Sequence, residues 1–240
     1  MTPIVLESFI WVFRNSSKIN LVRYVVLCAL IAILALGLGV YFIGFWLEPL
    51  ISWMIGLVPD TWEGAWVDWT VLIGTWIIRI FLFLLVFRHI LAIIYAPLLG
   101  YLSEKVENQL ASGIDTKIGF FASIWRGVKV NIRLLSKEIL FAAPWLFLSF
   151  IPIVNVPSSV ILFLTTSYYA GISSMDYTME RYHGIVETTE IINKNKRTVT
   201  MLGMVQVGMT LIPIVGILIA PPICAAMGAY IYRAKWVKSK

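Results

Sequence analysis

The residues able to do chemistry in this chain are mostly cations set against apolar neighbours. Arg79 stands inside an apolar run, 11 residues beyond Asp68. A guanidinium is costly in hydrocarbon unless it faces protein or water. Three roles fit it: an ion pair with a carboxylate such as Glu48, the lining of an anion path, or snorkelling toward the interface. Lys18 and Arg23 bracket Ile19-Asn20-Leu21-Val22, with Asn15, Ser16 and Ser17 just before them. Such donors offer charge-assisted hydrogen bonds to an oxyanion. The same two cations also suit plain anchoring of a helix end at a membrane surface.

Two uncharged stretches, 139–175 and 198–232, carry matching centres, Ile151-Pro152-Ile153-Val154-Asn155 and Ile212-Pro213-Ile214-Val215-Gly216. Asn155-Val156-Pro157-Ser158-Ser159 and Ala220-Pro221-Pro222 hold capping and first-turn residues for a returning helix. Helix N-termini placed there would direct unsatisfied N–H groups at an anion inside the membrane. A re-entrant turn requires the same prolines without any anion. Glu104 and Glu107 share a helical face and with Lys105 form a polar cluster suited to an oligomer rather than an acid–base pair. His89 and His183 are isolated in sequence, and Cys28 and Cys224 lie in apolar segments without zinc or disulfide spacing. No nucleophile–base, metal-ligand or phosphate-loop pattern appears, so neither an enzyme, a metal nor a cofactor is expected.

Composition sets the class of elements that must position these groups. Apolar residues make up 60% of the 240 and charged residues 13%, with mean hydropathy +0.87. Soluble domains carry roughly 45–50% apolar and about 25% charged residues. An all-α integral membrane protein forming a single membrane domain, 1–240, follows. The run 24–47 holds 24 residues without a charge and lacks a signal-peptide cleavage site. The reading gives a first transmembrane helix over 21–58 and a second over 67–102, since about 20 residues span a ~30 Å core.

Charge then sets topology. Asp60, Glu63 and Asp68 sit among Trp53, Trp62, Trp66 and Trp69 without a lysine or arginine, as an outer interface would. The basic residues gather in 104–138, 176–197 and the C-terminal tail. With basic loops and both termini cytoplasmic, each uncharged stretch enters and leaves on one face, as two crossings or as a re-entrant hairpin. Residues 139–151 make only about 20 Å of helix, which favours hairpins at 139–175 and 198–232. Over 118–138, Phe121, Ile124, Trp125, Val128, Ile132 and Leu135 share one face and Arg126, Lys129, Arg133 and Lys137 lie away from it. That is an amphipathic helix at the interface, attracted to anionic lipid. The net charge of +6 and pI near 9.3 are thereby assigned to the bilayer and not to nucleic acid.

The run from Ala96 and Pro97 to Glu104-Lys105-Val106-Glu107 resembles the Ala-Pro-Phe-x-x-x-Leu-x-Glu-Lys-Val-Glu signature of the CysZ family of bacterial sulfate permeases and their etoposide-induced eukaryotic relatives. Asp176-Tyr177-Thr178-Met179 is similar to that family's Asp-Tyr-Pro-Met segment. Ile212-Pro213-Ile214-Val215-Gly216, Pro221-Pro222 and Gly228-Ala229 resemble its Ile-Pro-x-x-Asn, Pro-Pro and Gly-Ala-Thr elements. The resemblance covers nearly the whole chain in order. It implies two long transmembrane helices, two partly penetrating hairpins, a homo-oligomer and residence in a bacterial cytoplasmic (inner) membrane. It also implies a sulfate site where the family has Pro-Gly-Leu-Arg-Arg-Phe-Val. Here the segment reads Ile19-Asn20-Leu21-Val22-Arg23-Tyr24-Val25, with one arginine and no Pro-Gly pair.

Two functions are open. One is a permease or channel for a small inorganic anion, sulfate by the resemblance, with capture at Lys18, Asn20 and Arg23 and guidance by Arg79 or the hairpin helix ends. The other is a membrane scaffold of the same fold that shapes lipid and carries no solute.

Overall fold

The computed structural model describes residues 3–55, 65–110, 119–149, 151, 153–212 and 215–237, and of helix residues 40–55, 65–72, 74–86, 88 and 237 the backbone alone. The described residues are all-helical: α1 (Pro3–Arg14), α2 (Leu21–Ile55), α3 (Ala65–Leu110), α4 (Phe120–Leu148), α5 (Asn155–Met179), α6 (Ile185–Lys194), α7 (Lys196–Thr210) and α8 (Val215–Ile231). A wider π-helical turn, Tyr232–Val237, carries α8 onward. The chain forms two compact units. One comprises Leu30–Leu91, which takes in parts of α2 and α3; the other comprises Met1–Ala29 and Ala92–Lys240.

Among the described residues two helices are long and apolar enough to cross a membrane, Leu21–Gly39 and Val215–Trp236. They differ in surroundings. Only 22% of the first window is buried, whereas 67% of the second is. Val26, Leu30, Ile33 and Leu34 of α2 stand exposed, as side chains whose solvent is lipid would. From Ala220 to Ile231, α8 is instead the buried centre of its unit, packed by α1, α5 and α7.

Small residues let these helices approach. A Cβ added at Gly203 would strike the Ser167 carbonyl, and one at Gly171 would strike that of Val199, so α5 and α7 cross nearly backbone to backbone. Between helices in lipid the hydrophobic drive is weak, and close van der Waals packing through small residues replaces it. Gly216 does the same at the start of α8, where a Cβ would meet the Met209 carbonyl. The turn from α7 into α8 depends on that glycine.

Several expected boundaries are redrawn. Pro221 and Pro222 do not open a helix: α8 begins at Val215 and both prolines lie inside it. Their fixed φ is already helical, and the carbonyls they leave without an N–H are tolerated in a tightly packed interior. Pro157 does fall in the first turn of α5, where N–H groups lack helical partners anyway. Asn155 is not a cap; its Nδ2 donates across the turn to Ser149 O at 2.7 Å. Pro152 and Pro213 lie outside the described residues. The amphipathic stretch and the first arm of the first hairpin are one helix, α4, with Pro144 inside it. Its protein-facing residues are Ser123, Gly127, Val130, Asn131, Leu134 and Glu138, while Phe121, Trp125 and Ile132 point outward. Val130 and Leu134 pack on Tyr169 of α5.

Gly203→Ala should therefore lower stability by about 1–3 kcal/mol through overpacking, a drop of roughly 2–4 °C per kcal/mol in the thermal midpoint of the detergent-solubilised chain. Gly208→Ala, whose Cβ meets nothing within 4 Å, should leave the midpoint unchanged or raise it.

Candidate functional site

The amino-terminal turn is built by backbone closure. Leaving α1, Asn15 N donates to Trp11 O at 2.9 Å, Ile19 N to Asn15 O at 3.1 Å and Leu21 N to Ser16 O at 2.9 Å. Ile19 is fully buried and pins the turn, while Lys18, Asn20 and Arg23 stay exposed. Among the described residues Asn20 is the one non-glycine with positive φ, 54°. Asparagine tolerates this left-handed conformation better than other side chains.

The cations of this turn make no ion pair among the described residues. Arg23 sits in the first turn of α2, which holds no acidic residue, and a cation is disfavoured at the positive end of a helix dipole. The described ion pairs include neither Arg23, Lys18 nor Lys105. Lys105 reaches in from α3, its Nζ 5.4 Å from the Tyr24 ring centroid. When the Asn20 amide is oriented to satisfy both its atoms, Nδ2 donates to Ser17 O at 3.2 Å and Oδ1 accepts from Lys105 Nζ at 3.0 Å.

A second polar cluster joins α3 to the end of α5. Arg181 Nη1 donates to Gly100 O at 2.9 Å, Ser103 Oγ at 2.8 Å and Tyr177 O at 3.3 Å, while Nη2 pairs with Glu107 Oε2. The guanidinium thereby caps the last carbonyls of α5. Tyr182 adds a hydroxyl to Glu107 at 3.3 Å and stacks on Tyr232. Both charged side chains are almost wholly buried, at 3% and 0% exposure. Burial pushes the Glu107 carboxyl above its ordinary range, against the pull of Arg181, Tyr182 and Arg233.

Beside this pair, Arg126 holds Asp176 at 2.8 Å through Nη2 and 3.4 Å through Nε, and donates to His183 O and Thr188 Oγ1. Arg126 is thus drawn inward and does not belong to the outer basic face of α4 expected from sequence. Ser123 Oγ donates to the Glu180 carboxylate at 3.1 Å and 3.2 Å. Burial and then Asp176 push the Glu180 carboxyl up to about 7, opposed by Ser123, Arg126 and Arg181. Glu180 opens on a cleft lined by Pro97, Gly100, Tyr101, Glu104 and Phe120. The cleft leaves ≈ 20 Å³ to the centre of a water-sized sphere, room for about one water. It does not accommodate a tetrahedral oxyanion.

The structure thus brings Lys105 to Asn20 and Tyr24, in the turn that also carries Lys18 and Arg23, and draws Glu107 away into an ion pair. The side chains of Arg79 and Glu48 are outside the described set, so the pairing expected for them is too. His183, isolated in sequence, has Nε2 2.9 Å from Tyr232 Oη. Sequence reasoning missed Ser103, Ser123 and the inward turn of Arg126. The spacing of Asp176 and Glu180, four apart on a helix, was the available signal. Among the described residues no three His, Cys, Asp or Glu side chains are grouped to hold a metal.

Glu107→Ala or Arg181→Met should each cost about 3–5 kcal/mol by stranding a buried charge, and Glu107→Leu with Arg181→Met should recover most of it. Thermal unfolding of the purified variants measures this. Because Glu180 binds its proton more tightly folded than unfolded, stability from this group falls as pH rises from 4.5 to about 7. Glu180→Gln should flatten the decline of the thermal midpoint across that window.

A family model described as Sulfate transporter CysZ/Etoposide-induced protein 2.4 matches residues 8–221. Curated relatives named sulfate transporter CysZ include one from Vibrio cholerae serotype O1, 28% identical over 225 residues, covering 89% of this chain and 87% of its own. Another, from Salmonella typhimurium, is 27% identical with the same coverage. The turn holding Lys18, Asn20 and Arg23 and the pair of Glu107 and Arg181 lie within the matched span, and the chain belongs to the sulfate transporter CysZ/etoposide-induced protein 2.4 family.

Proposed function

We propose that this protein is a permease or channel carrying a small inorganic anion, sulfate, across the cytoplasmic (inner) membrane of a bacterium to feed sulfur assimilation. The observation that carries this reading is the match along most of both chains to proteins named sulfate transporters. The family description names a transporter, and the protein is accordingly a membrane protein and not an enzyme.

Capture occurs at the turn holding Lys18, Asn20 and Arg23. A dianion there neutralises cations that otherwise repel each other and the positive end of α2. Arg79, on α3 in the membrane, lines the onward path, since an intramembrane guanidinium needs a polar face. Basic loops and both termini are cytoplasmic, and copies of the chain assemble as a homo-oligomer around the path.

The stretches 139–175 and 198–232 are re-entrant hairpins. Supporting this, α7 has 15 residues, about 22 Å of helix, short of a ~30 Å core. The tips also present uncovered apolar side chains, with Ile153 90%, Phe147 72% and Leu211 74% exposed. The outward face of α4, with Phe121 83% and Trp125 61% exposed and Lys129 and Arg133 beside them, lies at the interface among anionic lipids.

Proteoliposomes of the purified chain should take up radiolabelled sulfate saturably, with phosphate and chloride competing weakly. Arg23→Ala should raise the half-saturation concentration about tenfold or more, as loss of a charge-assisted hydrogen bond does. Correctly folded protein that transports nothing would instead favour the scaffold function.

A further inference from the structure

Arg23 offers one guanidinium fork to a dianion, and the neighbouring position, where the resembling family has a second arginine, holds Val22, 70% exposed. The fold brings another cation to this turn from far along the chain. We propose that Lys105 is the second cation of the oxyanion-capture site, binding the anion directly together with Arg23. This rests on the capture turn proposed above.

Three observations carry it. Lys105 Nζ is held at the turn by position: with the Asn20 amide turned so that Nδ2 donates to Ser17 O, Asn20 Oδ1 faces Nζ at 3.0 Å. An ammonium has three donors, so the single bond to Asn20 leaves two N–H groups for a ligand.

Lys105 is also unneutralised. Among the described residues no carboxylate lies within ion-pair reach of its Nζ, whereas Arg126 and Arg181 in the same unit are each paired. Finally, Lys105 reaches Tyr24, the residue that follows Arg23. Nζ stands over the ring at 5.4 Å, while Arg23, with Glu104 and Tyr101, acts electrostatically on the phenol. A lysine also tolerates this route to the site better than an arginine would, because it binds as a point charge and needs no planar register with the anion.

The rival role for Lys105 is a strap tying α3 to the turn through Asn20. The two are separated by measuring sulfate uptake by the full chain in proteoliposomes for Lys105→Met, Lys105→Arg and Lys105→Met with Val22→Arg. If Lys105 binds anion, Lys105→Met raises the half-saturation concentration about tenfold with the maximal rate within about twofold. Lys105→Arg stays near the unmodified value. Val22→Arg restores most of the loss, although it does not remake the Asn20 contact.

A half-saturation concentration unchanged in Lys105→Met but raised in Arg23→Ala would overturn the role of Lys105 and leave the capture turn standing. Failure of Val22→Arg to rescue would assign Lys105 to the strap. Uptake indifferent to both Arg23→Ala and Lys105→Met would place capture elsewhere and remove the site altogether.

A measurement on the unmodified chain guards against a variant that does not fold. Reductive methylation followed by mass spectrometry should show sulfate slowing modification of Lys105 relative to the exposed Lys129. Equal rates with and without sulfate would overturn the proposal.

Discussion

The buried pair of Arg181 and Glu107 is the constraint on which the larger unit depends. Two charges taken out of water lose several kcal/mol of solvation apiece, a loss that hydrogen bonds to neighbouring polar groups must offset. Glu107 Oε1 and Arg181 Nε find no such partner among the described residues, whereas Gly100 O, Ser103 Oγ, Tyr177 O and the Tyr182 hydroxyl serve the rest of the pair. They come from two helices distant in sequence, so forming the pair fixes α3 against the end of α5. Gly100 adds room there, since a Cβ would stand 2.9 Å from Glu180 Oε1 and push that carboxylate aside.

That junction orders the chain around it. The α3 helix runs on to Leu110 with Pro97 inside it, and the Tyr177 hydroxyl donates to Ala92 O at 3.2 Å, one turn before the proline. Tyr95, on the same helix, donates to Cys28 O of α2 at 2.8 Å. Lys105, two residues before Glu107, is consequently delivered to the turn ahead of α2. Charge that is satisfied at Glu107 and charge that is left open at Lys105 thus come from a single stretch of helix.

Packing elsewhere follows the physics of helices in lipid more than that of an aqueous core. The α5 and α7 helices touch through Gly171 and Gly203, and α4 meets α3 where Gly127 faces Ala96. Phe121, Trp125 and Ile132 of α4 point away from the protein. An apolar side chain gains little from leaving lipid for a protein interior, so such residues can remain on the outside.

Composition and runs of hydropathy were enough to establish an all-helical membrane chain, because the absence of charge over a span-length segment has few other solutions. Motif order likewise pointed to the family. Sequence could not say that Pro221 and Pro222 lie within a helix, since proline is compatible with either a first turn or a packed interior and only neighbouring helices choose between them. Nor could it tell which arginines are paired. Arg126 sits among Lys129 and Arg133 in sequence, yet its guanidinium is taken up by Asp176, 50 residues away. Lys105, read as part of a polar cluster with Glu104 and Glu107, joins Asn20 and Tyr24. Hydropathy is a local property that chain order preserves. Which charges meet is decided by helix crossings, and those exist only in the tertiary structure.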